Sequence, residues 1–354
     1  MIDHVKFSKY SLPLAIMFLL GLTPLKAEAA FVVGGFFNNK SVLRYDETTR
    51  KLIDVFIPAN SGVLDSPSSI IIGFDNNLYI ASFGTNSVLR YNATTGAFID
   101  TFIASGSGGL AFPFVLTFDP KNNLYVANVA NQSVMRYNGT TGAFIDTFVS
   151  PSSGGLNGLS GLTFGPDGNL YATSFGTNSI LRYNGTTGAF IDAFVPTGSG
   201  GLNKPFGLTF GPDGNLYVSS HGSGSILRYS GTTGAFIDSF IPNGRGGLSF
   251  PARLIFSPDN NLYIQNFISQ VVVDGDSRSD PTTSSIIRYN GKTGEFIDTF
   301  VPYSSNGIDN IAGVAFTPNP SVPEPSVTLG LLMLGVGGAV SQIKTKIGKK
   351  KNEI

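Results

Sequence analysis

Short runs of β-branched and aromatic residues alternate with clusters of turn-forming residues along most of the chain, and its middle shows no helical period. In one representative segment, 205–242, this pattern predicts four short strands. They are Phe206–Phe210, Asn215–Ser219, Ser225–Tyr229 and Ala235–Ile241. Gly211–Gly214 is a predicted turn, and Ser230–Gly234 is a predicted hairpin loop that contains the glycines a positive φ requires. The pattern therefore predicts an all-β protein.

This four-strand pattern recurs six times. Two apolar residues followed by Arg-Tyr mark each copy, with 46 residues between successive marks in the first five copies and 60 before the last. The arginines are Arg44, Arg90, Arg136, Arg182, Arg228 and Arg288. One aspartate follows each of them: Asp54, Asp100, Asp146, Asp192, Asp238 and Asp298. Because function usually breaks symmetry, we interpret these residues as a structural pair between the third and fourth strands.

A repeat of 46 residues with four antiparallel strands is typical of a β-propeller blade. The chain also carries two half-repeats. Phe31–Val33 matches a second strand with no first strand before it, and Ile311–Phe316 matches a first strand with nothing after it. Pairing them makes one blade from both segments and leaves no open edge. We expect a six-bladed β-propeller of four-stranded antiparallel blades over residues 30–320, closed by its N- and C-terminal strands.

An Asn-Leu-Tyr motif precedes five of the arginines. Its tyrosines are Tyr79, Tyr125, Tyr171, Tyr217 and Tyr263, which we expect to fill the gaps between blades. The repeat P-x-G-L-x-F-x-P-D-G-N-L-Y-V-x-S resembles that of the NHL family of six-bladed propellers over residues 31–318. This resemblance implies the fold, whereas the family includes enzymes, receptors and scaffolds. Typical NHL blades carry an acidic residue shortly after Asn-Leu-Tyr-Val, where this chain has Ser82, Asn128, Ser174, Ser220 and Asn266.

Residues 1–29 have the three parts of a secretory signal peptide. Basic residues come first, the apolar run Leu12–Leu22 follows, and Ala27-Glu28-Ala29 supplies a small-residue cleavage pattern. The apolar run has about half the length that a membrane span needs. The sequence therefore predicts export of the chain, with a buried N-terminal helix as the alternative.

The C-terminal segment, 321–354, has a different pattern. Val322, Pro323, Glu324 and Pro325 precede 18 uncharged residues, and a tail with five lysines follows. This order resembles the PEP-CTERM sorting signal of bacterial surface proteins, which implies an exosortase-type peptidase as a partner. A plain C-terminal membrane anchor is the alternative. We expect the protein at the cell surface or outside the cell, held transiently in the membrane by the C-terminal helix.

Composition narrows the chemistry. The chain has no cysteine, its charged residues make up 13%, and residues 30–322 carry a net charge of −4, so neither a thiolate site nor a nucleic-acid partner is indicated. That segment has one histidine, His221, and two glutamates, Glu47 and Glu295, both beside predicted outer hairpins. Gluconolactonase-like six-bladed enzymes use a central divalent metal with a glutamate ligand. We expect a non-catalytic binding module, with a hydrolase or lyase of that type as the alternative.

One face of the propeller varies more than the other. The loops after the second and fourth strands emerge together, because neighbouring strands alternate in direction. Phe83, Phe175 and Phe267 lie at equivalent places on this face, and His221 replaces a phenylalanine there. Arg245, like Lys204 and Arg253, lies on or near a loop that enters a first strand. Variable loops on a rigid scaffold often bind ligands, although unconstrained loops also vary. A polysaccharide or another surface protein, neutral or weakly anionic, is the expected partner.

An insertion of 14 residues, roughly 268–283, belongs to the same face. Its Asp274-Gly275-Asp276 segment faintly resembles a calcium loop. The spacing departs from the EF-hand pattern, because Arg278 and Ser285 occupy the fifth and twelfth positions. The sequence therefore favours a solvated loop, and no other cofactor is indicated.

Overall fold

Each sequence repeat forms one four-stranded antiparallel sheet, and the six sheets are the blades of a β-propeller. The computed structural model describes residues 29–35, 40–267, 270–273, 276–279, 284–302 and 311–318. In the representative repeat the strands are Pro205–Phe210, Leu216–Ser220, Ser225–Tyr229 and Phe236–Ile241, within one residue of the predicted starts and ends. The all-β prediction and the count of six blades are confirmed.

The strands are numbered in chain order. Blade 1 has β1 (Ala29–Gly35), β2 (Val42–Asp46) and β3 (Leu52–Ile57). Blade 2 has β4 (Pro67–Ile72), β5 (Asn77–Ser82), β6 (Ser87–Asn92) and β7 (Phe98–Ile103). Blade 3 has β8 (Pro113–Phe118), β9 (Asn123–Asn128), β10 (Ser133–Asn138) and β11 (Phe144–Val149). Blade 4 has β12 (Leu159–Phe164), β13 (Leu170–Ser174), β14 (Ser179–Tyr183) and β15 (Phe190–Val195).

Blades 5 and 6 complete the chain order. Blade 5 has β16 (Pro205–Phe210), β17 (Leu216–Ser220), β18 (Ser225–Tyr229) and β19 (Phe236–Ile241). Blade 6 has β20 (Phe250–Phe256), β21 (Asn261–Phe267), β24 (Ser284–Asn290) and β25 (Phe296–Val301). Between β21 and β24 lie β22 (Gln270–Val273) and β23 (Asp276–Ser279). One-turn 3-10 helices precede blades 3 to 6: Ser107–Gly109, Ser153–Gly155, Ser199–Gly201 and Arg245–Gly247.

The last strand, β26 (Ile311–Pro318), returns to blade 1 and pairs antiparallel with β1. Ala315 lies opposite Val32, and the Thr317 hydroxyl donates a hydrogen bond of 3.3 Å to the Ala30 carbonyl. Blade 1 is thus built from the first and last described strands, as predicted. Pairing satisfies the backbone of β1 on both sides, so the ring has no open edge at its closure.

The core lies in the gaps between neighbouring blades. Tyr171 is fully buried, and its ring lies 4.9 Å from Phe194 of its own blade and 5.1 Å from Phe210 of the next. Its hydroxyl donates to Asp167 at 3.0 Å, so the one polar atom of the side chain is satisfied. Burial raises the pKa of four such tyrosines to about 12: Tyr79, Tyr125, Tyr171 and Tyr217. These rings are the repeated packing unit of the propeller.

The six arginines and six aspartates meet at the outer edge of the blades. In every blade the arginine Nε lies 3.1–3.2 Å from one aspartate oxygen, and Nη2 contacts the other oxygen. In blade 4, the Arg182 guanidinium also lies 4.9 Å from the centre of the Phe194 ring. This two-pronged contact joins the third and fourth strands.

Hairpin loops on the outer side require glycine. Gly234 has a φ of +71°, and a Cβ atom there would lie 1.8 Å from the Phe194 carbonyl oxygen of the preceding blade. Both the positive φ and the close approach exclude any other residue without a shift of the backbone.

The insertion in blade 6 contains two strands, whereas the sequence favours a solvated loop there. Gln270–Val273 and Asp276–Ser279 pair as a two-stranded antiparallel hairpin. The signal for it is a run of valines followed by Asp274-Gly275, since Asp-Gly after a β-branched run is a hairpin signal. Asp274 itself lies outside the described residues, and so do the proposed signal peptide up to residue 28 and the sorting signal at Val322–Pro325. In the described part of the chain, no helix is long and apolar enough to cross a membrane.

Candidate ligand site at the channel mouth

The innermost strands of all six blades surround a central channel with a cavity of about 140 Å³. Residues at equivalent places form one layer of its wall: Ser69, Val115, Gly161, Gly207, Arg253 and Gly313. A layer of leucine, isoleucine and valine side chains follows along the strands. The wall is therefore apolar or neutral apart from a single guanidinium group. A cavity of this size holds a few water molecules or one small ligand.

Aromatic side chains gather where the innermost strands begin. The His221 ring lies 5.5–6.4 Å from four phenylalanine rings, those of Phe175, Phe206, Phe250 and Phe267. Phe114 lies 5.9 Å from Phe206 and 6.3 Å from Phe83, which in turn lies 5.0 Å from Phe112. We call these eight residues the aromatic mouth. Phe112 is 44% exposed and the other seven are half-buried, so the cluster keeps apolar surface accessible.

The structure brings four of the predicted site residues together in the aromatic mouth: His221, Phe83, Phe175 and Phe267. Sequence reasoning missed the other four, Phe112, Phe114, Phe206 and Phe250. Each lies next to a proline near the start of the first strand of a blade, as in Phe112-Pro113-Phe114. Aromatic residues flanking that proline are the signal that could have identified them.

Arg245 lies elsewhere. Its Nη1 donates to the Gly294 carbonyl at 3.3 Å, and its own carbonyl accepts a hydrogen bond from the Tyr289 hydroxyl. Both partners belong to the outer part of blade 6, so these contacts hold Arg245 away from the aromatic mouth. Asp276 belongs to the inserted hairpin, whose base is next to the mouth because Phe267 pairs with Ser284.

His221 provides the polar chemistry of the mouth. Burial lowers its pKa below the ordinary value of 6.5, and the positive charge of Lys204 adds to this against an opposing hydrogen bond. The imidazole is therefore neutral at pH 7. Its Nδ1 lies 3.2 Å from the Pro251 carbonyl oxygen, which places the proton on Nδ1. Within the described part of the chain Nε2 has no hydrogen-bond partner, so it is available to accept a hydrogen bond from a ligand.

A divalent metal does not fit the described channel. Among the described residues, no group of three or more histidine, aspartate or glutamate side chains is placed to hold a metal ion. The one charged side chain on the cavity wall is a cation, and divalent metals in proteins take carboxylate, carbonyl or imidazole ligands. The Asp274-Gly275-Asp276 segment, which only faintly resembles a calcium loop, falls partly outside the described residues.

These observations define the class of protein: the chain is a six-bladed β-propeller with a small central channel and an aromatic mouth. No family model matches the sequence, and no curated protein sequence matches it. A protein of unknown function from Bacteroides caccae has the same fold, with 14% identity and a TM-score of 0.58 over 82% of this chain and 99% of its own.

Two further solved structures are similar. One chain of a nidogen–laminin complex is 16% identical, with a TM-score of 0.58 over 82% of this chain and 98% of its own. A candidate 6-phosphogluconolactonase from Bacteroides uniformis is 19% identical, with a TM-score of 0.54 over 82% of this chain and 100% of its own. At these identities the similarity establishes the fold alone, because one fold supports many functions.

Proposed function

We propose that this protein is an exported, NHL-like binding module that takes an extracellular polysaccharide, neutral or weakly anionic, on its aromatic mouth. The observation that carries the proposal is the clustering of seven phenylalanine rings and His221 at one end of the channel. Most of the other loops around the ring repeat a few turn sequences, whereas this cluster differs in chemistry from blade to blade.

The chemistry of the mouth suits a sugar chain. Half-buried aromatic rings offer flat apolar surfaces to the C–H faces of sugar rings, and their burial is favourable. His221 Nε2 can accept a hydrogen bond from a hydroxyl group. The positive charge of Lys204 acts on His221. It therefore attracts a weakly anionic partner and repels a cationic one. A few polar groups among apolar side chains are typical of a ligand site.

Binding can be tested by retention on polysaccharide isolated from the matrix of the producing organism. Replacing both Phe175 and Phe267 by alanine removes two rings from the mouth. At about 0.5–1.5 kcal/mol for each aromatic contact, retention should fall at least about fivefold.

The matched control replaces two outer side chains of the same blades, Ile191 and Ile297, which are 42% and 40% exposed. This variant should keep wild-type retention. Equal loss in both double variants, or no loss in either, would remove the mouth as the site.

Export and processing form the second part of the proposal. The signal-peptide pattern of residues 1–29 and the Pro323-Glu324-Pro325 order support export followed by cleavage by an exosortase-type peptidase. Mass spectrometry of the extracellular fraction should then show peptides up to Asn319 and none from Thr328 onward. Intact C-terminal peptides in most surface molecules would favour a plain membrane anchor.

The alternative is a hydrolase or lyase with a central divalent metal. The fold is shared with a candidate 6-phosphogluconolactonase, but the donor atoms of the described channel do not fit such a metal. Turnover of a lactone that rises on addition of calcium, with no retention on polysaccharide, would favour the enzyme over the binding module.

A further inference from the structure

Blade 6 departs from the other blades at the channel wall. Arg253 occupies the place of a small or apolar residue in every other blade, and among the described residues it is the only charged side chain that lines the cavity. A second departure lies on the neighbouring strand of the same blade. Gln265 stands where blades 4 and 5 have Thr173 and Ser219, whose hydroxyls bind the backbone N–H groups of the first strand. Gln265 is buried, and its side-chain oxygen has no hydrogen-bond partner in the structure.

Arg253 reaches across the channel to the opposite blade. Its Nη2 donates to the Phe114 carbonyl of blade 3 at 3.0 Å, and its guanidinium carbon lies 4.9 Å from the centre of the Phe114 ring. A guanidinium group has five N–H bonds. Within the described part of the chain, the Phe114 carbonyl is the only acceptor for them, and no carboxylate lies within ion-pair distance. The bridge between the two blades therefore uses one of the five N–H donors of Arg253, and the others remain available.

An uncompensated cation inside a protein is unfavourable. Burial lowers the pKa of Arg253 to about 10, which still leaves the group charged at pH 7. The contrast with Arg228 is direct, since that guanidinium meets both oxygens of Asp238. Arg253 is half-buried at the cavity wall, and a charge that is withdrawn from bulk water normally has an ionic partner, because desolvation without one is unfavourable. The described residues supply no such partner, and the cavity beside Arg253 leaves room for an anion from solution.

We propose that the channel binds one small monovalent anion of carboxylate size against Arg253. A planar carboxylate can accept two parallel N–H bonds from a guanidinium group. The cavity of about 140 Å³ admits a group of this size. One positive charge in an apolar wall compensates one negative charge, so a doubly charged phosphate is disfavoured.

The anion site adjoins the aromatic mouth, because Phe114 of the mouth contacts the Arg253 guanidinium. Two sources share this chemistry: a free small carboxylate, or the carboxylate of an acidic sugar at the end of a chain held at the mouth. The anion site itself does not depend on polysaccharide binding.

The test is isothermal titration of the full-length protein with sodium acetate at constant ionic strength. We expect saturable binding with a stoichiometry near one, and a rise in Tm of about 4 °C or more at about 100 Kd. Arg253→Met should lose both. Arg245→Met is the matched control, because Arg245 also donates one hydrogen bond to a backbone carbonyl but is exposed, and it should keep both.

A structural strut would respond differently from a binding site. If Arg253 only joins blades 3 and 6, Arg253→Met changes Tm equally with and without acetate, and the wild type shows no saturable heat; either result overturns the proposal. Should Arg253→Met fail to fold, bromide-soaked crystals of the wild type give the answer instead. An anomalous peak beside the Arg253 guanidinium supports the site, and its absence counts against it.

The source of the anion is separated by competition. An oligosaccharide that ends in a uronic acid should displace acetate if the carboxylate belongs to a chain at the mouth, whereas its carboxyl-reduced form should not. If only acetate binds, the anion is free. The Phe175/Phe267 double variant should weaken the oligosaccharide alone, so failure of the polysaccharide proposal leaves acetate binding to Arg253 intact.

Discussion

The outer edges of the blades are nearly identical, whereas the inner edges vary from blade to blade. At the outer edge, six arginines meet six aspartates with almost the same geometry in every blade. At the inner edge, one layer of the channel wall contains serine, valine, glycine and arginine at equivalent places. Both edges belong to the same strands and the same repeat. The difference shows that the outer contacts are needed by every blade, and that the inner positions are free to serve something specific to the whole ring.

Mutations at the repeated positions and at the mouth should therefore have different effects on stability and on binding. Changes at repeated positions should cost stability and leave binding intact in any molecule that still folds. Changes at the mouth should cost binding and leave stability almost intact. Four measurements test it, from the largest expected effect to the smallest.

Tyr217→Ala should have the largest effect. The ring is fully buried between blades 5 and 6, so its removal leaves a cavity and lowers the free energy of unfolding by about 3–5 kcal/mol. Phe206→Ala in the mouth is the comparison, and its half-buried ring should cost no more than about 1–2 kcal/mol. Urea unfolding of both variants checks this. Equal losses would mean that the mouth is as much a part of the core as the gaps between blades.

Alkaline pH should destabilise the ring next most strongly. The folded-state pKa of Tyr79, Tyr125, Tyr171 and Tyr217 is raised to about 12, so the folded state holds these protons more tightly than the unfolded state. The stability they contribute is complete below pH 10 and is lost as the pH rises toward 12. Across this range the urea midpoint should fall while the tyrosinate absorbance rises, and the two changes should coincide in one cooperative transition. Tyrosine ionisation without unfolding would contradict the prediction.

Arg228→Ala should have a moderate effect. It removes two charge-assisted hydrogen bonds to Asp238 and the contact with the Phe240 ring, but the pair is partly exposed. We expect a loss of about 1–2 kcal/mol, reduced by high salt, with polysaccharide retention unchanged. A double-mutant cycle with Asp238→Ala isolates the coupling between the two. A coupling near zero would show that the pair repeats without stabilising the blade.

His221 should give the smallest effect, and it depends on pH. Its pKa is lowered in the folded state, so the neutral form contributes stability above the ordinary pKa of 6.5, and this is lost as the pH falls below that value. His221→Phe restores the residue that other blades have and should remove this dependence while Tm at pH 7 changes by no more than a few degrees. Lys204→Met should reduce the dependence without removing it. A profile unchanged in His221→Phe would assign the effect to other groups.

The sequence predicts the repeated half of the comparison well. Tyr171 between blades and Arg182 opposite Asp192 follow from local chemistry, because the paired strands of blade 4 are neighbours in sequence. The glycine-rich hairpins are equally local, since Gly234 is the residue that its φ and its close contact both require. The strand boundaries differ from prediction by a residue or so for the same reason.

The inner half is harder to predict, because it depends on contacts between blades. Arg253 lies close to a loop in the sequence, but the first strand of blade 6 shifts its register between Pro251 and Leu254, and the side chain crosses to blade 3. No local pattern contains Phe114, which is 139 residues away. Aligning the repeats at 46 residues does give a signal, since Arg253 then falls on Gly207 and Gly161. A charge at a position that is uncharged in every other blade marks the departure, but it does not show where the side chain goes.

The closure of blade 1 also has a consequence in time. Ala30 and Thr317 are 287 residues apart, so the blade that starts first is completed last as the chain is made. Until then blades 2 to 6 can assemble from neighbouring residues, while β1 keeps an unpaired edge that can join the edge strand of another chain. A chain interrupted before residue 311 would keep that edge permanently. Pairing of β26 with β1 therefore closes the ring and covers the exposed strand edge. The time before this pairing is the time during which each new molecule can aggregate through that edge.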